Sequence, residues 1–355
     1  MNVAVYSFVD GPVRVALQNN GIEVALAPGG SNAVSLIDGI KAAPRLFWFM
    51  FRRRPRVVHF FLPAAYLAGA PMAVLAGVPI RVMSRRSLNV YQRNALVRVV
   101  ERCWHQAMHA IIGNSQGVID ELKTEGVVAA RLGLIYNGVD DASFDKKGQR
   151  DQTRAGLGLA PDTLVMCIVA NLIPYKGHSD LIEALGLAAP QLPPRWHLLV
   201  IGHDAGIGAA LQEQVSELGL NDHISFLGAR EDIPALLAAS DIDILCSHQE
   251  GFANAILEGM AAGLPMIVTR VGGNVEAVID QETGLVVPPR DSKSLAAAIV
   301  QLANDASLRM RFGAAGRQLV ARQFSVQRFV DGHRALYDAL SAGKQPSQVS
   351  RVAIR

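Results

Sequence analysis

The chain is poor in cysteine: Cys103, Cys167 and Cys246 are scattered through 355 residues. An odd number with no Cys-x-x-Cys pair argues against a disulfide framework and a cysteine-bound structural zinc, and fits a reducing compartment. The first residues lack the basic, apolar and small-residue order of a secretion signal, so a cytoplasmic location is expected, with peripheral attachment to the inner face of the membrane as a variant of it. No Walker lysine loop is present, and no aspartate pair is read as a metal-holding site; the expected metal site is none. Net charge is also scarce, at +3 overall, but unevenly placed: residues 1–150 hold 18 Lys+Arg against 10 Asp+Glu, and the remainder is acidic. The basic half could face anionic lipid or a phosphorylated acceptor. Nothing resembling a nucleic-acid module accompanies it, and nucleic acid is not expected as a partner.

What the chain has in abundance is apolar residues, half of the total, and glycine. That is enough for two domains with full cores. Asn2–Phe8 and Gly21–Leu26 read as strands around a short helix from Val13. A loop, Pro28-Gly29-Gly30-Ser31, leads to a helix ending in the aromatic and basic patch RLFWFMFRRRPR, residues 45–56, which could sit at a bilayer interface. Residues 57–80 carry no Asp, Glu, Lys or Arg and raise the question of a membrane span. His59 and three prolines interrupt the run, which divides into strand, helix and strand; buried parallel strands give such apolar stretches. Residues 96–110 read as a helix and AIIGNS as a strand. A polar stretch at 143–162 marks the expected domain boundary, with an N-terminal lobe at 1–148 and a C-terminal lobe at 149–325. In the second lobe, strands and helices alternate from LVMCIVA to a helix at Ser292. A terminal helix at 326–341 and a loose tail at 342–355 complete the expectation. Alternation of this kind implies an α/β fold of two Rossmann-like lobes with parallel sheets and right-handed crossovers. Ligands then bind at the carboxyl ends of the strands, in a cleft between the lobes.

The stretch with most chemistry is EGFANAILEGMAAG, residues 250–263. Glu250 and Glu258 stand eight positions apart, with a helix-like run between them. IDILC upstream reads as a buried strand, Gly263 as the helix stop, and PMIVT as the next strand. The first amides of that helix, near Phe252, Ala253 and Asn254, lack internal partners and sit at the positive end of the helix dipole, which makes an anion site. A ligand with hydroxyls at both ends and a diphosphate between them suits two carboxylates bracketing such a site.

IVANLIPYKGH, FLGAREDIPALLAASDIDILCSHQEGFANAILEGMAAGLPMIVTRVGGNVEAV and GLVVPP together resemble the C-terminal half of a family 4 retaining glycosyltransferase of GT-B architecture. RPRVVHFF, AGVPIRVMSRRSLN, AIIGNSQGV and LIYNGVD resemble its N-terminal half. The resemblance implies a nucleotide-sugar donor, a UDP- or GDP-sugar, held mainly by the C-terminal lobe, a glycan or lipid-linked acceptor, and no cofactor. It implies that Glu250 binds the donor sugar and stabilises an oxocarbenium-like transition state, and that Glu258 binds the ribose. It places the amides of Gly251, Phe252, Ala253 and Asn254 on the diphosphate, with Lys176 stabilising the departing phosphate in place of a metal. Gly228 to Arg230 is where the family meets the nucleobase, and Gly272-Gly273 with Glu276 borders the sugar. In the N-terminal lobe, His59, Arg85, Arg86, Asn89 and Asn114 are expected at strand ends facing the cleft, with Arg85 or Arg86 available to a phosphate or acceptor.

Two departures qualify the resemblance. Asn171 stands where the family often has an arginine. The opening residues align with the family's second strand, so the first strand and its glycine loop are expected to be absent. These departures motivate a second reading, a catalytically weak nucleotide-sugar-binding partner of another transferase. A nucleotide-sugar epimerase on the same architecture is a third.

Overall fold

A computed structural model of the chain describes residues 3–27, 36–88 and 95–348. The 28–31 loop, Asn89 and residues 349–355 lie outside the described residues. Two compact units divide the chain. The first comprises Met1–Asn114, Val118–Ile135 and Gly332–Ala353; the second is essentially Ser115–Gly117 and Tyr136–Asp331.

Unit 1 runs through β1 (Ala4–Ser7), α1 (Pro12–Asn19), β2 (Glu23–Leu26), α2 (Leu36–Arg53), β3 (Val57–Phe61), α3 (Pro63–Leu75), β4 (Ile80–Arg85), α4 (Ala95–His105), β5 (Ala110–Gly113), α5 (Gln116–Thr124) and β6 (Leu132–Leu134). β1 and β2 pair as a two-stranded parallel sheet, and β3-β4-β5-β6 form a separate four-stranded parallel sheet in that order. The uncharged run at 57–80 is strand, helix and the start of a strand; Pro63 opens α3 and Pro79 precedes β4, whereas Pro71 lies inside α3 and does not interrupt it. No helix among the described residues is long and apolar enough to cross a membrane.

Unit 2 contains α6 (Arg150–Gly156), β7 (Leu164–Val169), α7 (His178–Ala188), β8 (Trp196–Ile201), α8 (Gly208–Glu217), β9 (Ile224–Gly228), α9 (Ile233–Ala239), β10 (Ile242–Leu245), α10 (Asn254–Ala261), β11 (Met266–Thr269), α11 (Asn274–Ala277), β12 (Gly284–Val287), α12 (Ser292–Asn304) and α13 (Ala306–Gln323). Its six strands are all parallel, in the order β12-β11-β10-β7-β8-β9. The order reverses between β10 and β7, where open α/β sheets bind ligands outside the strands' carboxyl ends. α14 (Val326–Ser341) carries the chain from unit 2 back into unit 1 at Asp331/Gly332.

The division between units falls at Ile135/Tyr136, ahead of the polar stretch that marks the expected boundary. The physical reason is that this stretch is not a linker. It folds into short turns and α6, and it is tied down by Arg150 and Arg154, which donate to Asp241 at 2.6 and 2.8 Å. Residues 342–348 of the expected loose tail include a 3-10 turn, Pro346–Gln348, with Pro346 buried. The central strands β7 and β8 are apolar on both faces: Met166, Ile168, Leu198 and Val200 point into one core cluster and Val165, Cys167, Leu199 and Ile201 into another, all at most 2 % exposed. Burying each such Val, Leu, Ile or Met side chain contributes about 1.5–3 kcal/mol.

Candidate functional site

The switch point puts two loops together. One follows β7 and holds Asn171 and a 3-10 turn, Pro174–Lys176; the other follows β10 and holds Ser247 to Gly251. Gly177 closes the first loop in the left-handed region, φ 75°, and a Cβ there would lie 2.1 Å from the Cys246 carbonyl oxygen. Only glycine fits, and the absence of a side chain lets the loops touch. Their contact is reinforced by the Cys246 thiol, 3.1 Å from the Gly177 carbonyl, and by the His248 amide, which donates to the Tyr175 carbonyl at 2.7 Å. The His248 ring in turn meets Asp180 at 2.7 Å, Nε2 to Oδ2.

Within this frame Lys176 Nζ donates to Glu250 Oε1 at 2.5 Å, and Ser247 Oγ donates to the same oxygen at 2.7 Å. Both charged side chains are largely shielded, Lys176 at 17 % and Glu250 at 11 % exposure. Glu250 is also fixed from β11. Gly272, φ 44°, passes so close that a Cβ would lie 1.7 Å from the Glu250 carbonyl oxygen, and the Gly273 amide donates to Gly251 O at 2.9 Å.

α10 begins four residues after Glu250. Its N-cap is Ala253, which offers no side chain to the first amides. Those N–H groups have no intrahelical acceptor and carry the positive end of the dipole. Asn254 Oδ1 instead accepts from Asn137 Nδ2 at 2.7 Å, which anchors the helix start to the segment after β6. Gly263, φ 82°, ends the helix as expected: its amide donates to Met260 O and the Leu264 amide to Gly259 O, both at 3.0 Å. Glu258 lies one turn inside. It is half-buried, its carboxylate meets no hydrogen-bond donor among the described residues, and burial raises its pKa. A carboxylate held in this way is an acceptor awaiting a donor.

The remaining expected residues of unit 2 are dispersed over its strand ends. Asn171 Oδ1 accepts from the His203 amide at 3.1 Å and links the loops after β7 and β8. Gly228 ends β9 with φ 67°, and Arg230 pairs with Asp232 at 2.6 Å on the surface. Asp241 and Asp243 do have Asp-x-Asp spacing, but Asp241 is engaged by Arg150 and Arg154, and Asp243 is 1 % exposed under α10. Glu276 accepts from the Gln116 and Gly117 amides at 2.8 and 3.2 Å and from the Tyr136 hydroxyl at 2.9 Å. Ser247, Asn137 and the His248–Asp180 pair are site residues that the sequence did not single out. Ser247 and His248 could have been found by adjacency to Glu250, whereas Asn137 and Asp180 reach this region from 117 and 68 positions away from their partners Asn254 and His248 and carried no local signal.

In unit 1 the structure corrects one expectation and narrows the others. Arg85 is not available to a phosphate or acceptor. It is 2 % exposed, and its guanidinium sits among Glu101 at 2.6 Å, Glu125 at 3.0 Å and Glu121 at 3.9 Å. A strand-end arginine surrounded by three carboxylates satisfies its charge internally. His59 uses both ring nitrogens, Nδ1 to the Tyr337 hydroxyl and Nε2 to the Ser84 hydroxyl, each at 2.7 Å. Burial, with His333 and Arg86 nearby, holds its pKa down to about 3 and the ring neutral. Asn114 is buried and donates to the Arg86 carbonyl at 3.2 Å. Arg86 is half-buried.

The two α/β units on parallel sheets have the GT-B fold of solved glycosyltransferases, which the chain matches with TM-scores up to 0.83. Two family models match, glycosyl transferases group 1 over residues 149–319 and glycosyltransferase family 4 over residues 2–143. The chain belongs to the family 4 glycosyltransferases. It is similar to the Bacillus anthracis N-acetyl-alpha-D-glucosaminyl L-malate synthase, with 29 % identity over 57 % of this chain and 52 % of the relative. It is similar to the D-inositol 3-phosphate glycosyltransferase of Thermomonospora curvata, with 31 % identity over 61 % of this chain and 55 % of the relative. The chain thus spans about half the length of the curated relatives it matches. Among solved structures, Anabaena Alr3699/HepE in complex with UDP superposes with a TM-score of 0.82 at 25 % identity, covering 96 % of this chain and 92 % of that one.

Proposed function

We propose that the chain is a retaining glycosyltransferase. It moves a sugar from a nucleotide-diphosphate sugar, UDP- or GDP-linked, to a glycan or lipid-linked acceptor, without a divalent cation or other cofactor. The observation that carries the reading is the Lys176–Glu250 contact at the switch point beside the uncapped start of α10. In this reading the α10 amides and Lys176 neutralise the leaving diphosphate, the work a metal does elsewhere. Glu250 accepts from donor sugar hydroxyls and stabilises positive charge developing at the anomeric carbon. Glu258 accepts from the ribose hydroxyls, and the Gly228–Arg230 turn borders the base. The acceptor attacks from the face the phosphate leaves, and a phosphate oxygen takes its proton. The complex of Alr3699/HepE with UDP supports the donor class.

A second reading is favoured by Asn171. A neutral amide stands where the family often has a cation, and it is occupied by the His203 amide. On that reading the chain binds a nucleotide sugar but leaves transfer to a partner.

The test is product analysis with purified chain, donor and acceptor. The expected product keeps the donor's anomeric configuration by NMR, and forms at the same rate in excess EDTA. Inverted product removes the retaining mechanism, and loss of turnover in EDTA removes metal independence. Donor binding with neither transfer nor donor hydrolysis establishes the second reading.

A further inference from the structure

We propose that the outer face of α2 docks the chain on an anionic lipid bilayer. The inference stands on unit 1 alone and does not rest on the transferase reading.

α2 is sided in an unusual way. Ala42, Leu46 and Met50, spaced by four, are at most 5 % exposed and pack into unit 1. The opposite face is not a plain solvated stripe. Lys41, Arg45, Trp48 and Arg52 recur at i, i+4, i+7 and i+11, which puts them in one row along the helix. All four are exposed, Trp48 at 57 %. Phe51, at 44 % exposure, stands beside that row, with its ring 5.7 Å from Trp48 and stacked 5.6 Å from Phe47.

A large aromatic pair held in water has a continuing drive to leave it. The flanking residues decide for what. Residues 36–56 contain six Lys or Arg and one acidic residue, Asp38. Of the cations, Arg53 is paired with Glu23 inside unit 1. A row of cations alternating with an exposed tryptophan matches the headgroup zone of an anionic bilayer: indole sits at the headgroup level, and arginine and lysine stems reach phosphates. A protein partner would need a matching acidic and apolar groove, whereas an anionic lipid surface supplies both features everywhere.

The experiment is co-sedimentation of the full chain with sucrose-loaded vesicles, either phosphatidylcholine alone or with about a third phosphatidylglycerol. The expected result is binding to the anionic vesicles only, released by high salt. Each of Arg45→Glu and Arg52→Glu should weaken it about fivefold or more, and Trp48→Ser with Phe51→Ser about tenfold or more. These positions are exposed, so the unfolding midpoints should match wild type. The charge variants leave the apolar surface intact and remain informative if the aromatic pair destabilises the helix. Equal binding to neutral vesicles, or binding that neither set of variants changes, overturns the proposal. Absence of vesicle binding together with a concentration-dependent dimer that the aromatic variants dissolve also overturns it, and makes the face a contact between copies.

Discussion

Buried charge gives the sharpest expectations for single residues. Asp243 lies under α10, where burial, with the charge of Glu258 adding, pushes its pKa up to about 8. An acid whose folded pKa is raised binds more protons folded than unfolded, so stability falls as pH rises from the ordinary carboxylate range toward 8. Asp243→Asn should flatten that dependence by about 1.4 kcal/mol per pH unit at its steepest. Denaturant midpoints at pH 5 and pH 8 measure it, and an unchanged slope would show that another group titrates. Arg85→Met leaves Glu101 and Glu125 buried without their cation and should cost about 3–5 kcal/mol; an unfolding midpoint shift of a few tenths of a kcal/mol would contradict the network. Neither role was legible in the sequence. Asp243 sits in an apolar strand pattern, and the carboxylates of Arg85 stand 16 and 40 residues away on other elements. The placement of Glu250 just before a helix and of Glu258 within it was legible because strand, loop and helix are local. The partnership of Glu250 with Lys176, 74 residues upstream, was not.

The strands of unit 2 announce themselves because parallel strands buried on both faces are continuous apolar runs, as in LVMCIV of β7. The two helices that went unremarked, α6 and α13, have no such signal. α6 has seven residues, five of them polar, and is held by the guanidinium groups of Arg150 and Arg154 rather than by an apolar face. α13 is laced with arginine and buries a narrow stripe that includes Phe312, Leu319 and Val320. Loop contact at the switch point depends on one backbone position. Gly177→Ala introduces a Cβ into the Cys246 carbonyl and a side chain at positive φ, and should destabilise unit 2 by about 2 kcal/mol or more. It should also weaken the Lys176–Glu250 contact. Equal stability and unchanged donor affinity in that variant would show that the loops do not depend on each other.

For the molecule as a whole, family membership and the parallel-sheet architecture were readable from motif and alternation. The units' limits were not, because α14 belongs to both and the polar stretch before α6 is folded structure. A donor held by unit 2 stabilises only the folded state. A screen over UDP-, GDP- and ADP-sugars should therefore raise the unfolding midpoint with one base and not the others, by about 2.7 kcal/mol at a hundredfold excess over Kd. The central claim is that Glu250, fixed by Lys176 and Ser247, acts on the donor sugar. The most direct measurement is turnover of Glu250→Gln with the donor that screen identifies. The account predicts a loss of about a hundredfold or more in kcat at an unchanged unfolding midpoint. Turnover within a factor of two or so of wild type would contradict it.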